Sequence, residues 1–307
     1  MNTAMKPYVA LGKREIWEHR SFWIVQFVIG CISVLLSLLA AGALIYGRYY
    51  GYLDIPGYIE RLGTNGAEII RSFIIGSATL FNVALVALVC LYSIDTLNAD
   101  RRDRSVLFWR SLPVSDTATV LSKLFTAMVT APAIMLAFFI AFQIVNGVVM
   151  VIANAAIGVN PFPMMHPLAV LLAFITLAWA LIAQSLWLMP FYGWFMLCSA
   201  WAKRNAWGWV ILVPLGAMLL EVIVFQTGYF ARMIGRHIAG LVNLMVGRNG
   251  ITIHDMASAA APANDSHLMT LESVSLFMLQ PEMWIGVAIG AVFIGGAIWL
   301  RRHRFEF

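Results

Sequence analysis

Long runs of apolar residues, separated by short polar stretches, dominate this chain. Six of them come close to or exceed the roughly 20 apolar residues that a helix needs to cross a bilayer. They run from about Ser21 to Gly47, Ile69 to Ile94, Val120 to Ile152, Leu168 to Trp201, Trp207 to Thr227 and Met283 to Leu300. Strands of a membrane barrel would alternate apolar and polar residues, whereas these runs are unbroken. Backbone groups that meet lipid must pair within their own segment, so the runs predict helices. The expected fold is an all-α integral membrane protein with about six transmembrane helices.

The third run contains Pro132, where a bend is expected. The fourth needs a decision. Leu168 to Ala202 is 35 residues, about 52 Å as a straight helix, too long for one upright span and too short for two. Pro190 removes an N–H and crowds the preceding turn. The preferred reading is one kinked span with a tail; a broken, re-entrant element is the alternative.

Composition supports a membrane protein. Hydrophobic residues make up 61% of the chain and Asp, Glu, Lys and Arg only 11%, against roughly 25% charged in ordinary soluble domains. The net charge of +5 is spread over stretches that flank the apolar runs, not gathered on a polar domain, so nucleic acid is not an expected partner. With residues 1–20 inside, fourteen of the twenty basic residues fall on cytosolic segments, and both termini are cytosolic. Residues 1–20 are too polar and the run after them too long for a cleavable signal peptide. They read as an interfacial helix presenting Tyr8, Val9, Ile16 and Trp17, with 21–307 as the six-span domain. Cys31, Cys90 and Cys198 all lie in apolar runs, which predicts no disulfide framework.

Two loops exceed what connection requires. An outer loop, 228–282, is apolar at both ends and polar in the middle, which predicts two short helices before the last span. A cytosolic loop, 95–122, is dense in charge. Its core reads Asp103-Arg104-Ser105-Val106-Leu107-Phe108-Trp109-Arg110-Ser111-Leu112-Pro113. Asp103 is placed to cap a short helix, Pro113 stops it, and Ser115 is placed to cap the next. Such a helix could fill a groove on another protein, or lay its aromatics on the lipid interface.

Tyr92 to Asp116 resembles the first cytosolic loop of ABC-2-type permeases, the membrane subunits of a class of ATP-binding-cassette transporters. Leu11-Gly12-Lys13-Arg14-Glu15-Ile16-Trp17-Glu18-His19-Arg20 is similar to the interfacial helix that opens many of them. The resemblance implies that the loop is a coupling helix docking on a separate nucleotide-binding subunit. Phe108, Trp109 and Leu112 would be the apolar anchors, with Val106, Leu107 and Pro113 around them. Arg104 and Arg110 would pair with acidic groups. It further implies two permeases, expected as a homodimer, and two ATPase subunits holding ATP and Mg. The setting would be a bacterial cytoplasmic (inner) membrane, and the activity export of a lipid-like, peptide or drug-like compound. The alternative is a polytopic scaffold or sensor driven by an ATPase without transport.

The chain has no Gly-x-x-x-x-Gly-Lys-Ser/Thr loop, so no cofactor is expected in it and no enzymatic activity of its own. No His-Glu-x-x-His or comparable metal spacing is present either. Five polar residues inside the runs are candidates for an intramembrane site: Glu221, Asn82, Gln143, Asn146 and Gln184. Glu221 is acidic within a span and so could face a pathway, pair with an Arg or make a structural contact. For the amides the commoner role is interhelical hydrogen bonding. Ser33, Ser37 and Ala41, and likewise Gly286 and Gly290, recur every four residues, a spacing that permits close helix packing.

Overall fold

The computed structural model describes residues 15, 17–102, 115–160, 166–202, 205–246 and 269–303. Among them every regular element is helical: α1 (Ser21–Tyr49), α2 (Ile55–Arg102), α3 (Asp116–Phe125), α4 (Ala131–Ala156), α5 (Pro167–Trp187), α6 (Met189–Trp201), α7 (Ala206–Phe225), α8 (Tyr229–Val246), α9 (Leu271–Met278) and α10 (Pro281–His303). Six stretches are long and apolar enough to cross a membrane: α1, α2, α3 with α4, α5, α7 and α10. Helices α8 and α9 are the two short elements expected before the last span. Residues 103–114, the middle of the loop predicted over 95–122, and most of residues 1–20 lie outside the described residues.

Apolar side chains cover the exterior as well as the core. On α7, Ile211, Leu220, Ile223 and Phe225 are all more than half exposed. Apolar surface of this extent has no place against water. The main core joins α2, α3, α4, α5, α6 and α10 around Phe81, Met135, Phe139, Leu188 and Met196. Ser33, Ser37 and Ala41 are buried on α1, which packs chiefly on α4. Gly286 and Gly290 are buried where α10 meets α6.

Helix α2 departs from the expectation. It begins at Ile55 rather than Ile69, ends at Arg102 rather than Ile94, and contains 48 residues. That is about 72 Å of helix, far beyond one bilayer core. Its early part is polar enough to read as loop, yet a tertiary contact holds it, Tyr58 Oη donating to Asn154 Oδ1 at 3.0 Å; just beyond it Arg71 donates to the Met269 carbonyl at 2.8 Å.

Three prolines disturb the long apolar helices, and for two of them, Pro132 and Pro214, a side chain of another helix takes up the freed carbonyl. Just before Pro132 the chain widens into a π-helical turn, Thr126–Thr130. Pro132 deprives the Met128 carbonyl of its i+4 donor; Ser185 Oγ of α5 lies 2.9 Å from that oxygen and 2.9 Å from the Leu181 carbonyl, so its one proton is shared between the two. Pro214 lies inside α7 and frees the Val210 carbonyl, which takes the Trp194 indole N–H at 3.2 Å. In the fourth run the break falls at Leu188, two residues before Pro190. Hydrogen bonds continue across it, from Leu188 N to Gln184 O and Tyr192 N to Leu188 O, so it is a kink in a continuous chain path. The Trp187 carbonyl at the break is 2.6 Å from His237 Nε2, which must carry the proton. The Trp187 indole in turn donates to the His237 carbonyl at 2.7 Å, and the two rings stack. Each repair satisfies a backbone group that lipid could not.

Candidate functional site

The predicted coupling-helix residues, Asp103, Arg104, Val106, Leu107, Phe108, Trp109, Arg110, Leu112 and Pro113, lie outside the described residues. The helices on either side of them are described. Ser115 caps α3 as its position suggested, its Oγ accepting from Ala118 N at 3.1 Å. On the other arm, Ser199 Oγ of α6 accepts from Leu97 N at 3.1 Å and Asn98 N at 3.0 Å, fixing the last turns of α2.

Between these arms sits a buried chain of alternating charge. Lys123 of α3 is 2% exposed and lies 3.1 Å from Glu15 Oε1 and 3.4 Å from Asp100 Oδ1. Arg301 of α10 continues the chain, 3.1 Å from Asp100 Oδ2 and 3.0 Å from Asp116 Oδ1. The order is therefore Glu15, Lys123, Asp100, Arg301, Asp116. These residues come from the segment before α1, from both arms of the loop and from the last helix. Thr96 Oγ1 accepts from Lys123 at 2.9 Å, and Tyr92 Oη donates to Glu15 Oε2 at 2.7 Å. Arg302 adds a bond to Thr117 Oγ1 at 2.8 Å. Burying an ammonium or carboxylate costs several kcal/mol unless each is paired and hydrogen-bonded, a condition met along this chain.

His19 borders it, 3.8 Å from Glu15 and edge-on to the Tyr92 ring. Burial pushes the imidazole below its ordinary value, and neighbouring Glu15 opposes that shift.

In the sequence Lys123 and Arg301 count only toward topology, and Glu15, Asp100 and Asp116 only as members of the two stretches that carry the resemblance. The one available signal was Lys123, which stands inside the third apolar run, where an unpaired ammonium would be costly. Nothing in the sequence pointed to Glu15 or Arg301 as its neighbours.

The candidate intramembrane residues fall into separate places. Asn82 and Gln184 form a reciprocal amide pair between α2 and α5, with both bonds at 2.8 Å. Gln143 donates to Ser77 Oγ at 2.8 Å, while Asn146 donates to Ser33 Oγ at 2.8 Å and Gln143 Oε1 at 2.9 Å. That second group ties α4 to α1 and α2. Both arrangements are interhelical fastenings. Glu221 joins neither. It lies one turn before the end of α7, and its carboxylate accepts from Tyr229 N at 2.6 Å, Phe230 N at 2.9 Å and Thr227 Oγ1 at 2.8 Å. It thus caps the start of α8, closing the turn in which Gln226 adopts a left-handed conformation (φ 51°).

Among the described residues no group of three or more His, Cys, Asp or Glu is arranged to hold a metal ion. Comparison with protein-family models, with curated proteins and with solved structures gave no match.

Proposed function

We propose that this chain is the permease subunit of an ABC-2-type transporter in a bacterial cytoplasmic membrane, working with a separate ATPase. The observation that carries the reading is how the two arms of the 103–114 loop are fastened. Lys123 and Asp116 on one arm and Asp100 on the other share buried or half-buried ion pairs with Glu15 and Arg301. A push on the loop would then reach the N-terminal segment and the last helix. The resemblance of Tyr92 to Asp116, the six candidate spans and the bias of Lys and Arg toward the loop side support the same reading.

On this proposal Phe108, Trp109 and Leu112 seat the loop in the ATPase, and Arg104 and Arg110 pair with its acidic residues. ATP and Mg belong to that partner, since this chain has no phosphate-binding loop. Two permease copies and two ATPases form the working unit, and the substrate path, for export, lies between the copies. The experiment is co-purification of the tagged chain with a soluble ATPase, repeated for a Phe108→Ala, Trp109→Ala variant. Association lost in the variant is the expected result; association retained would overturn the docking assignment. ATP-driven movement of labelled lipids, peptides or drugs in proteoliposomes is expected of the wild-type complex. Association without any such movement would favour the scaffold or sensor alternative.

A further inference from the structure

Replacing a buried ion pair by apolar side chains of similar size is often neutral or even stabilising. Mere stability is thus a weak reason for five charges to be buried or half-buried together. Their geometry offers a better one. Lys123 is shared between Glu15 and Asp100, and Arg301 between Asp100 and Asp116, all within 3.0–3.4 Å. No member can shift without changing its neighbour's balance, because each interior group divides its charge between two partners. The members also come from far-apart parts of the chain, with 108 residues between Lys123 and Glu15 and 201 between Arg301 and Asp100. Chain connectivity does not hold them together; their mutual attraction and the surrounding packing do.

We propose that Glu15, Lys123, Asp100, Arg301 and Asp116 form a single mechanical joint, with Lys123 as the positioning residue. The joint sets the placement of the N-terminal segment, of both loop arms and of the last helix together. A change at the Glu15 end is passed to the Arg301–Asp116 end, across the loop arms. The proposal deepens the permease reading, and rests on it only for what moves the loop.

Two features separate a joint from a set of local contacts. The first is action at a distance. Leu121 on α3 and His303 on α10 are exposed and lie outside the chain of charges. Spin labels at Leu121→Cys and His303→Cys, with Cys31, Cys90 and Cys198 replaced by alanine, report the separation of α3 and α10 in the full chain reconstituted in nanodiscs. Glu15→Gln and Lys123→Met are each expected to shift that separation by about 1–2 Å, the scale of helix displacements at interfaces. Glu15→Gln is nearly isosteric, and among its described hydrogen bonds and ion pairs Glu15 meets the labelled helices through Lys123 of α3 and not through α10, so it keeps the test available if Lys123→Met fails to fold. An unchanged separation in folded Glu15→Gln protein would overturn the proposal.

The second feature is the outcome of a charge swap. For an isolated pair, Glu15→Lys with Lys123→Glu restores the wild-type separation. In a joint it does not, because the carboxylate placed at 123 faces Asp100; adding Asp100→Asn is expected to recover part of the loss. Full restoration by the swap alone would also overturn the proposal. Neither measurement needs an ATPase. Failure to co-purify one would remove the permease reading and leave the joint standing.

Discussion

Substituting alanine at two glycines of α10 should have opposite effects, although they are only five residues apart. Gly290 packs against the start of α6: a Cβ added there would lie 2.5 Å from the Met189 carbonyl oxygen and 2.7 Å from its carbon. The facing glycine, Gly193, is in the same position, its added Cβ falling 2.5 Å from the Gly290 carbonyl oxygen. Cβ atoms essentially never come within 3.0 Å of such neighbours, and here the obstacle is backbone, so no side-chain rotation relieves it. The two helices would have to part by about 1 Å, losing dispersion contacts along the whole interface. Overpacking of this kind costs about 1–3 kcal/mol. Against this stands the gain of about 0.5–1 kcal/mol for alanine over glycine inside a helix. The net result for Gly290→Ala is a loss. At Gly295, where nothing lies within 4 Å, only the gain remains. Thermal unfolding in detergent, read by tryptophan fluorescence, should place Gly290→Ala below wild type and Gly295→Ala level with it or above. Equal melting of all three proteins would refute the close-packing argument, as would greater damage from Gly295→Ala.

Ser185→Ala removes the donor that serves the Met128 carbonyl beside Pro132 and should cost about 0.6–1.7 kcal/mol, with the π-helical turn losing amide-exchange protection; unchanged exchange at 126–130 would count against the repair. Asn82→Leu and Gln184→Leu should each destabilise, and the double variant should recover much of the loss, since two leucines leave no amide unpaired; additive losses would show that the pair is not coupled. His19 and His237 are both held below the ordinary value of 6.5, chiefly by burial, so the folded state binds fewer protons than the unfolded chain just below that pH. Stability should therefore be flat above about pH 6.5 and fall as the pH drops below it; melting at pH 7.5 and 5.5 checks this, and a His19→Gln, His237→Gln variant should show a smaller drop.

The fate of individual predicted elements shows what kinds of feature a sequence reveals. Ser115 was recognisable as a cap because capping is local, set by an oxygen three residues from its donor. Pro132 and Pro190 marked disturbed helix geometry for the same reason, though the break itself falls at Leu188. For Glu221 the apolar run left a pathway, an Arg partner and a structural contact all open; the contact is with two amides of α8, which the turn after Phe225 brings back onto its carboxylate. The early part of α2 is not legible because Ile55 to Glu68 lacks an apolar run, and within it Tyr58 reaches a distant partner, Asn154.

By itself, the sequence determined the helical class, the six runs long and apolar enough to cross a membrane, and most of their ends. Lipid removes every backbone arrangement except one that pairs within its own segment, so run length and proline are enough to read them. Only the tertiary structure decided which side chains take up the carbonyls freed by the prolines, which glycines touch, and that Glu15, Lys123, Asp100, Arg301 and Asp116 meet. Those outcomes depend on pairings across one hundred or two hundred residues, and no periodicity along the chain records them.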